Sequence, residues 1–165
     1  MQIKFWGVRG SIPSGSKDTA GVGGNTTCAE IRCGDELIII DTGTGVRNLG
    51  MALMKEMPVK GTILFSHVHW DHIQGFPFFG PFFVPGNEFR IFGGTSLPKT
   101  IGEVLDQQMT PPCFPVKTEL FGAKLTYHDV KPGDVIEGNN YKITLASLYH
   151  PNGCYAYRIE HEGKA

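Results

Sequence analysis

Hydrophobic and polar positions alternate early in the chain in a way that predicts β structure. Runs of β-branched and aromatic residues at 2–6, 27–32 and 36–41 are separated by Gly, Pro, Ser and Asn, the punctuation expected between strands. Gly34-Asp35 between the last two runs predicts a hairpin turn. A helix is predicted over 49–56 with Pro58 as its stop, followed by a continuous apolar strand over 61–66. Residues 73–86 are rich in Phe, Pro and Gly and lack either period, which predicts an aromatic loop or short irregular helix able to line a pocket. Beyond it come a strand at 89–92, a helix at 97–109 that starts near Pro98 and stops at Pro111-Pro112, and strands at 124–130, 141–148 and 154–160. Many strands and few, well-separated helices predict a single α/β (α+β) domain over residues 1–165, with helices flanking a mixed sheet. No repeat, low-complexity tract or linker divides it.

Composition narrows the classes of function. The chain of 165 residues is 41% hydrophobic, enough for a real core. Fifteen basic and sixteen acidic residues leave a net charge of -1, so no global field draws it to nucleic acid or an anionic membrane, and recognition of phosphate must be local. Its apolar runs fall far short of the about 20 residues of a membrane span. The first residues show no basic segment followed by an apolar core and cleavage site, so a cytoplasmic protein is expected. Cys28, Cys33, Cys113 and Cys154 form no C-x-x-C pair and are expected to be buried, reduced thiols.

The densest chemistry lies in His67-Val68-His69-Trp70-Asp71-His72, directly after the predicted strand 61–66. Residues two apart on a strand point the same way, so His67 and His69 can aim two imidazoles at one point, with Asp71 and His72 following where the chain turns. Three of the chain's six histidines fall here beside an Asp, which points to metal binding rather than to unrelated loop polarity. Imidazole with carboxylate suits Zn first, with Mn and Fe as rivals. Other motifs are poor. Gly43-x-Gly45 has Asn48 where a dinucleotide loop needs its third Gly, and no G-x-S-x-G elbow occurs. His128, His161, Arg9 and Arg47 read as ordinary hydrogen-bonded or solvated groups, although either arginine sits in a Gly-containing loop that could meet a phosphate.

The same run resembles the H-x-H-x-D-H signature of the metallo-β-lactamase superfamily, whose domain is an αββα sandwich with one or two metals at the sheet edge. Phe5-Trp6-Gly7-Val8-Arg9-Gly10-Ser11, Gly23-Gly24-Asn25-Thr26 and Ile40-Asp41-Thr42-Gly43-Thr44-Gly45 resemble its branch of cyclic-phosphate and cyclic-nucleotide phosphodiesterases, near ribonuclease Z. The resemblance implies one metal held by His67, His69 and His150 and a second by Asp71 and His72, with Asp41 orienting an imidazole. It also implies hydrolysis of a small phosphodiester, cyclic or open, by metal-bound hydroxide, with Asp71 as ligand and proton acceptor. The family's bridging Asp and final His have no counterpart after His150, so the sandwich is expected to be incomplete at its C-terminal side and the second metal weak or absent. An exposed apolar face should then favour a homodimer. Two alternatives stand beside this reading: a non-catalytic, metal-binding, self-associating half domain, and a ribonuclease Z-like nuclease, for which the Phe76, Phe78, Phe79, Phe82 and Phe83 cluster offers base-stacking surface.

Overall fold

The computed structural model describes residues 1–95 and 97–165. Its centre is a six-stranded mixed sheet in the order β1 (Gln2–Gly7), β2 (Cys28–Cys33), β3 (Glu36–Ile40), β4 (Lys60–Leu64), β5 (Glu88–Gly93) and β6 (Lys124–Asp129). The first three strands are antiparallel meander neighbours, whereas β3 to β6 run parallel. Parallel neighbours need crossovers, and the intervening helices supply them on one face of the sheet. A second, three-stranded antiparallel sheet of β7 (Val135–Glu137), β8 (Tyr141–Leu148) and β9 (Cys154–His161) covers the other face.

Strand alternation sorts the core into two layers. Leu37, Ile39, Ile63, Phe89 and Ile91 face the helices, packing against Leu49 and Leu53 of α1 (Val46–Leu53) and Ile101 and Leu105 of α3 (Ile101–Gln107). Their sequence neighbours Ile38, Leu64 and Phe92 face the small sheet and meet Ile136, Ile143, Leu145 and Ile159. Because the central strands are buried on both faces, they read as continuous apolar runs. The layers are therefore helix, sheet, sheet; among the described residues no helix covers the outer face of the small sheet, so the fourth layer of the expected αββα sandwich is not seen.

Both main helices sit differently from the sequence expectation. α1 begins three residues early, at Val46 rather than 49, because its buried stripe is Val46, Leu49, Gly50 and Leu53, a clean i, i+3, i+4, i+7 pattern. α3 starts at Ile101 rather than 97: Thr100 caps it, accepting from the Glu103 N–H while Glu103 accepts from the Thr100 N–H at 2.7 Å. That T-x-x-E box was readable, and Pro98 drew the start too far upstream. Strand β7 was not anticipated, since three residues carry too little alternation. The segment 73–86 is two short 3-10 helices, Phe76–Phe78 and Gly80–Phe83, that bury Phe76, Phe79 and Phe82 and leave Phe78 and Phe83 exposed. Most of the aromatic cluster is thus core and not stacking surface. All four cysteines are free, but only Cys28 and Cys33 are buried; Cys113 is exposed and Cys154 half-buried, each lying outside the two core clusters. Among the described residues no helix is long and apolar enough to cross a membrane.

Candidate metal centre

The histidine run leaves the end of β4 and enters α2 (Trp70–Ile73), a single turn whose N-cap is His69 in extended conformation. Ring centroids of His67 and His69 lie 4.6 Å apart. His150 arrives from the turn between β8 and β9, where Asn152 and Gly153 both take positive φ and the Gly153 N–H donates to the His150 carbonyl. Two bonds tie this hairpin to the end of β4: the Tyr155 N–H donates to the Ser66 carbonyl at 2.8 Å, and the Tyr157 hydroxyl donates to the Phe65 carbonyl at 2.7 Å. One nitrogen from each of His67, His69 and His150 lies within 4.8 Å of the other two, and His150 Nε2 approaches His69 Nδ1 to 3.2 Å. Three imidazole nitrogens converging with no carboxylate among them fit a divalent ion of the zinc type.

A second group adjoins the first. The His72 ring lies 3.9 Å from that of His67, its Nδ1 is 2.7 Å from Asp41 Oδ2, and its Nε2 is 3.5 Å from Asp71 Oδ2. Since a carboxylate only accepts, His72 Nδ1 carries the proton shared with Asp41, and Nε2 keeps its lone pair on the Asp71 side. Asp41 is buried with φ +60, follows β3, and takes both the backbone N–H and the hydroxyl of Ser66. Burial alone would lower the His72 pKa, but the hydrogen bond and charge of Asp41 and the charge of Asp71 leave it raised. His67 is pushed down to about 4, first by burial and then by the neighbouring imidazoles. For Asp71, burial opposes ionisation, yet the Ser11 N–H and His72 outweigh it and its pKa ends below the usual carboxylate value.

The glycine-rich motifs are wired to this centre. Ser11, at φ +67, donates its N–H to Asp71 Oδ2 at 2.8 Å. Its loop is held by Val8 and Arg9 N–H groups donating to the Asn25 carbonyl, and Asn25 Oδ1 accepts from the Thr44 hydroxyl. The Thr42 N–H donates to the His72 carbonyl, so the turn after β3 lies flat against α2. Gly43 permits this: a Cβ there would stand 2.3 Å from the Asp71 carbonyl oxygen. The structure thus brings together His67, His69 and His150, sets Asp71 and His72 beside them, and places Asp41 behind His72. Sequence reasoning missed Ser66 and Ser11, the first because a Ser before a histidine carries no signal of its own and the second because it acts through its main chain. Arg47 is exposed, and Arg9 is half-buried with a buried Nε that has no partner among the described residues. His128 stacks on Phe92 at 4.6 Å, and His161 is buried with Nδ1 2.8 Å from the Asn140 carbonyl; both stand outside the cluster.

Helices on one face of a mixed sheet, a second sheet on the other, and histidines at the strand ends define the class: the chain has the metallo-β-lactamase fold. The metallo-β-lactamase fold protein YhfI from Bacillus subtilis is similar with a TM-score of 0.65 at 21% identity, covering 96% of this chain and 56% of that one. Human tRNase Z, short form, is similar with a TM-score of 0.64 at 16% identity, covering 99% of this chain and 66% of that one. In sequence, ribonuclease Z of Methanothermobacter thermautotrophicus is 29% identical over 97% of this chain and 48% of its own length. Ribonuclease Z of Methanosarcina acetivorans is 28% identical over 96% of this chain and 48% of its own length. The chain spans about half the length of the curated relatives it matches. No family model matches it.

Proposed function

We propose that this chain is a metal-dependent hydrolase of phosphodiesters, working as one domain over residues 1–165. The observation that carries the reading is the convergence of His67, His69 and His150 within 4.8 Å beside the Asp71/His72 pair. In this reading His67, His69 and His150 hold one ion, zinc by preference and manganese or iron as rivals, and Asp71 with His72 hold a second more weakly. A divalent ion in such a site lowers the pKa of a bound water and offsets charge on phosphoryl oxygens. Asp71, held in place by the Ser11 N–H at 2.8 Å, would take the proton of the attacking water. Asp41 keeps His72 turned toward Asp71 throughout.

Within the phosphodiester class, two observations favour RNA over a small cyclic phosphate. Relatives named ribonuclease Z align along nearly the whole chain. Trp70 and Tyr149, each adjacent in sequence to a cluster histidine, are both exposed, as residues that stack unpaired bases are. The test compares turnover of bis-(p-nitrophenyl) phosphate, a cyclic nucleotide and a short RNA by the wild-type chain and by His69→Ala. Hydrolysis lost in His69→Ala supports the reading, and RNA preferred over the small esters supports its second part. Equal rates in both proteins contradict it.

The same reading includes a homodimer. Ile3 and Phe5 pair across β2 with Ile31 and Ala29, on the face that packs against the small sheet, yet they are 58% and 68% exposed because that sheet does not reach β1.

A further inference from the structure

The Asp41 carboxylate engages one side chain besides His72, the hydroxyl of Ser66. Ser66 Oγ lies 2.8 Å from Asp41 Oδ2 and 3.0 Å from Oδ1, and it also lies 3.1 Å from His67 Nδ1. A serine hydroxyl has one hydrogen, and the Asp41 carboxylate has none to give. The Ser66 hydrogen therefore goes to Asp41, which leaves Ser66 Oγ as an acceptor toward the imidazole. A neutral imidazole has one N–H, and only an N–H at Nδ1 satisfies that acceptor. His72 Nδ1 is also 3.2 Å from Ser66 Oγ, but it has the shorter contact of 2.7 Å with Asp41 Oδ2 for its own proton. One carboxylate thus sets both rings, His72 directly and His67 through a hydroxyl.

We propose that Ser66 is a positioning residue that relays Asp41 to His67, holding it as the Nδ1–H tautomer so that Nε2 offers its lone pair to the His69/His150 cluster. The consequence for metal affinity rests on the functional reading above, whereas the tautomer does not. Three features make the relay separable from the fold. Ser66 is only half-buried, its backbone N–H donates independently to Asp41 Oδ1 at 2.8 Å, and its carbonyl independently accepts from Tyr155. Removing the hydroxyl alone leaves those main-chain anchors in place. Among the described residues no hydroxyl contacts His69 or His150, whose Nδ1 and Nε2 face each other at 3.2 Å, so the two present different ring nitrogens to the same point.

The experiment is imidazole nitrogen NMR on the metal-free full chain, followed by zinc competition titration, for wild type, Ser66→Ala and Ser66→Thr. Wild type is expected to show His67 with its proton on Nδ1. Ser66→Ala should move His67 toward a mixture of tautomers while the His72 signals stay fixed by Asp41, and should weaken zinc binding by about tenfold, the loss typical when a ligand's orienting partner is removed. Ser66→Thr, which restores a hydroxyl, should recover both. A His67 tautomer unchanged in Ser66→Ala overturns the relay. A relay that behaves as described in a chain that takes up no zinc supports the hydrogen-bond assignment and overturns the metal reading instead, so the two failures are told apart.

Discussion

The two halves of the histidine cluster, 3.9 Å apart between the His67 and His72 rings, are built on opposite electrostatic terms. His67, His69 and His150 face one another with no carboxylate among them, and burial together with the neighbouring imidazoles, His72 ahead of His69 and His150, holds His67 near a pKa of about 4. His72 sits between Asp41 and Asp71, whose attraction outweighs burial and raises its pKa. Identical side chains on one short stretch thus carry opposite shifts. The three-histidine half offers three imidazole nitrogens with no carboxylate among them, whereas the other half offers one imidazole and one carboxylate that are already engaged with each other, with Asp41 and with the Ser11 N–H. This is the physical basis for expecting a tight first ion and a weak second one.

The sharpest way to break the comparison is to remove a nitrogen from the uncompensated half. His69→Ala should abolish the tight metal and lower turnover at least about 1,000-fold, because the water then keeps a pKa far above neutral; elemental analysis and a phosphodiester assay read both. Asp41→Ala acts on both halves at once, on His72 directly and on His67 through Ser66, and should weaken metal binding and turnover by about 10–100-fold in zinc titration and rate measurements. Gly43→Ala removes none of the cluster side chains but puts a Cβ 2.3 Å from the Asp71 carbonyl oxygen and 2.6 Å from that of Thr27, so α2 and the β3 turn must move apart. It should cost about 1–3 kcal/mol in denaturant unfolding and loosen the Asp71/His72 half more than the other.

The pH dependence of the metal-free chain separates the halves by sign. His67 has a folded pKa of about 4 against an unfolded value of 6.5, so between those values the unfolded state binds the extra proton and stability rises with pH. His72 has a raised folded pKa, so its contribution is fully present below 6.5 and is lost as pH climbs through the folded value. Urea midpoints measured across this range should flatten on the acid side in His67→Gln and on the basic side in His72→Gln. The smallest effect is on assembly: Phe5→Lys should shift light-scattering mass from dimer toward monomer with the fold unchanged, since Phe5 touches solvent and not core.

Much of this was readable from the residues, for reasons that particular elements make plain. Strands β3 and β4 were legible because burial on both faces leaves an unbroken apolar run, and His67 and His69 followed from their spacing at a strand end. His150 was legible only through resemblance, since 81 residues separate it from its neighbour His69 and a lone histidine before Pro151 has no pattern. The helix boundaries slipped where periodicity was read without caps, as at Thr100 and Glu103. The orienting network escaped almost entirely. The Ser66 hydroxyl and the Ser11 N–H matter because of what the fold sets against them, and neither local propensity nor motif spacing encodes that contact.

The most direct measurement is metal content per chain by elemental analysis, on protein purified without chelator, for wild type and His69→Ala side by side. The wild type is expected to hold at least one tight ion, zinc before manganese or iron, and His69→Ala none at equal helix and strand content. A wild-type chain with no bound metal, or a His69→Ala chain that holds as much as wild type, would contradict the metal reading.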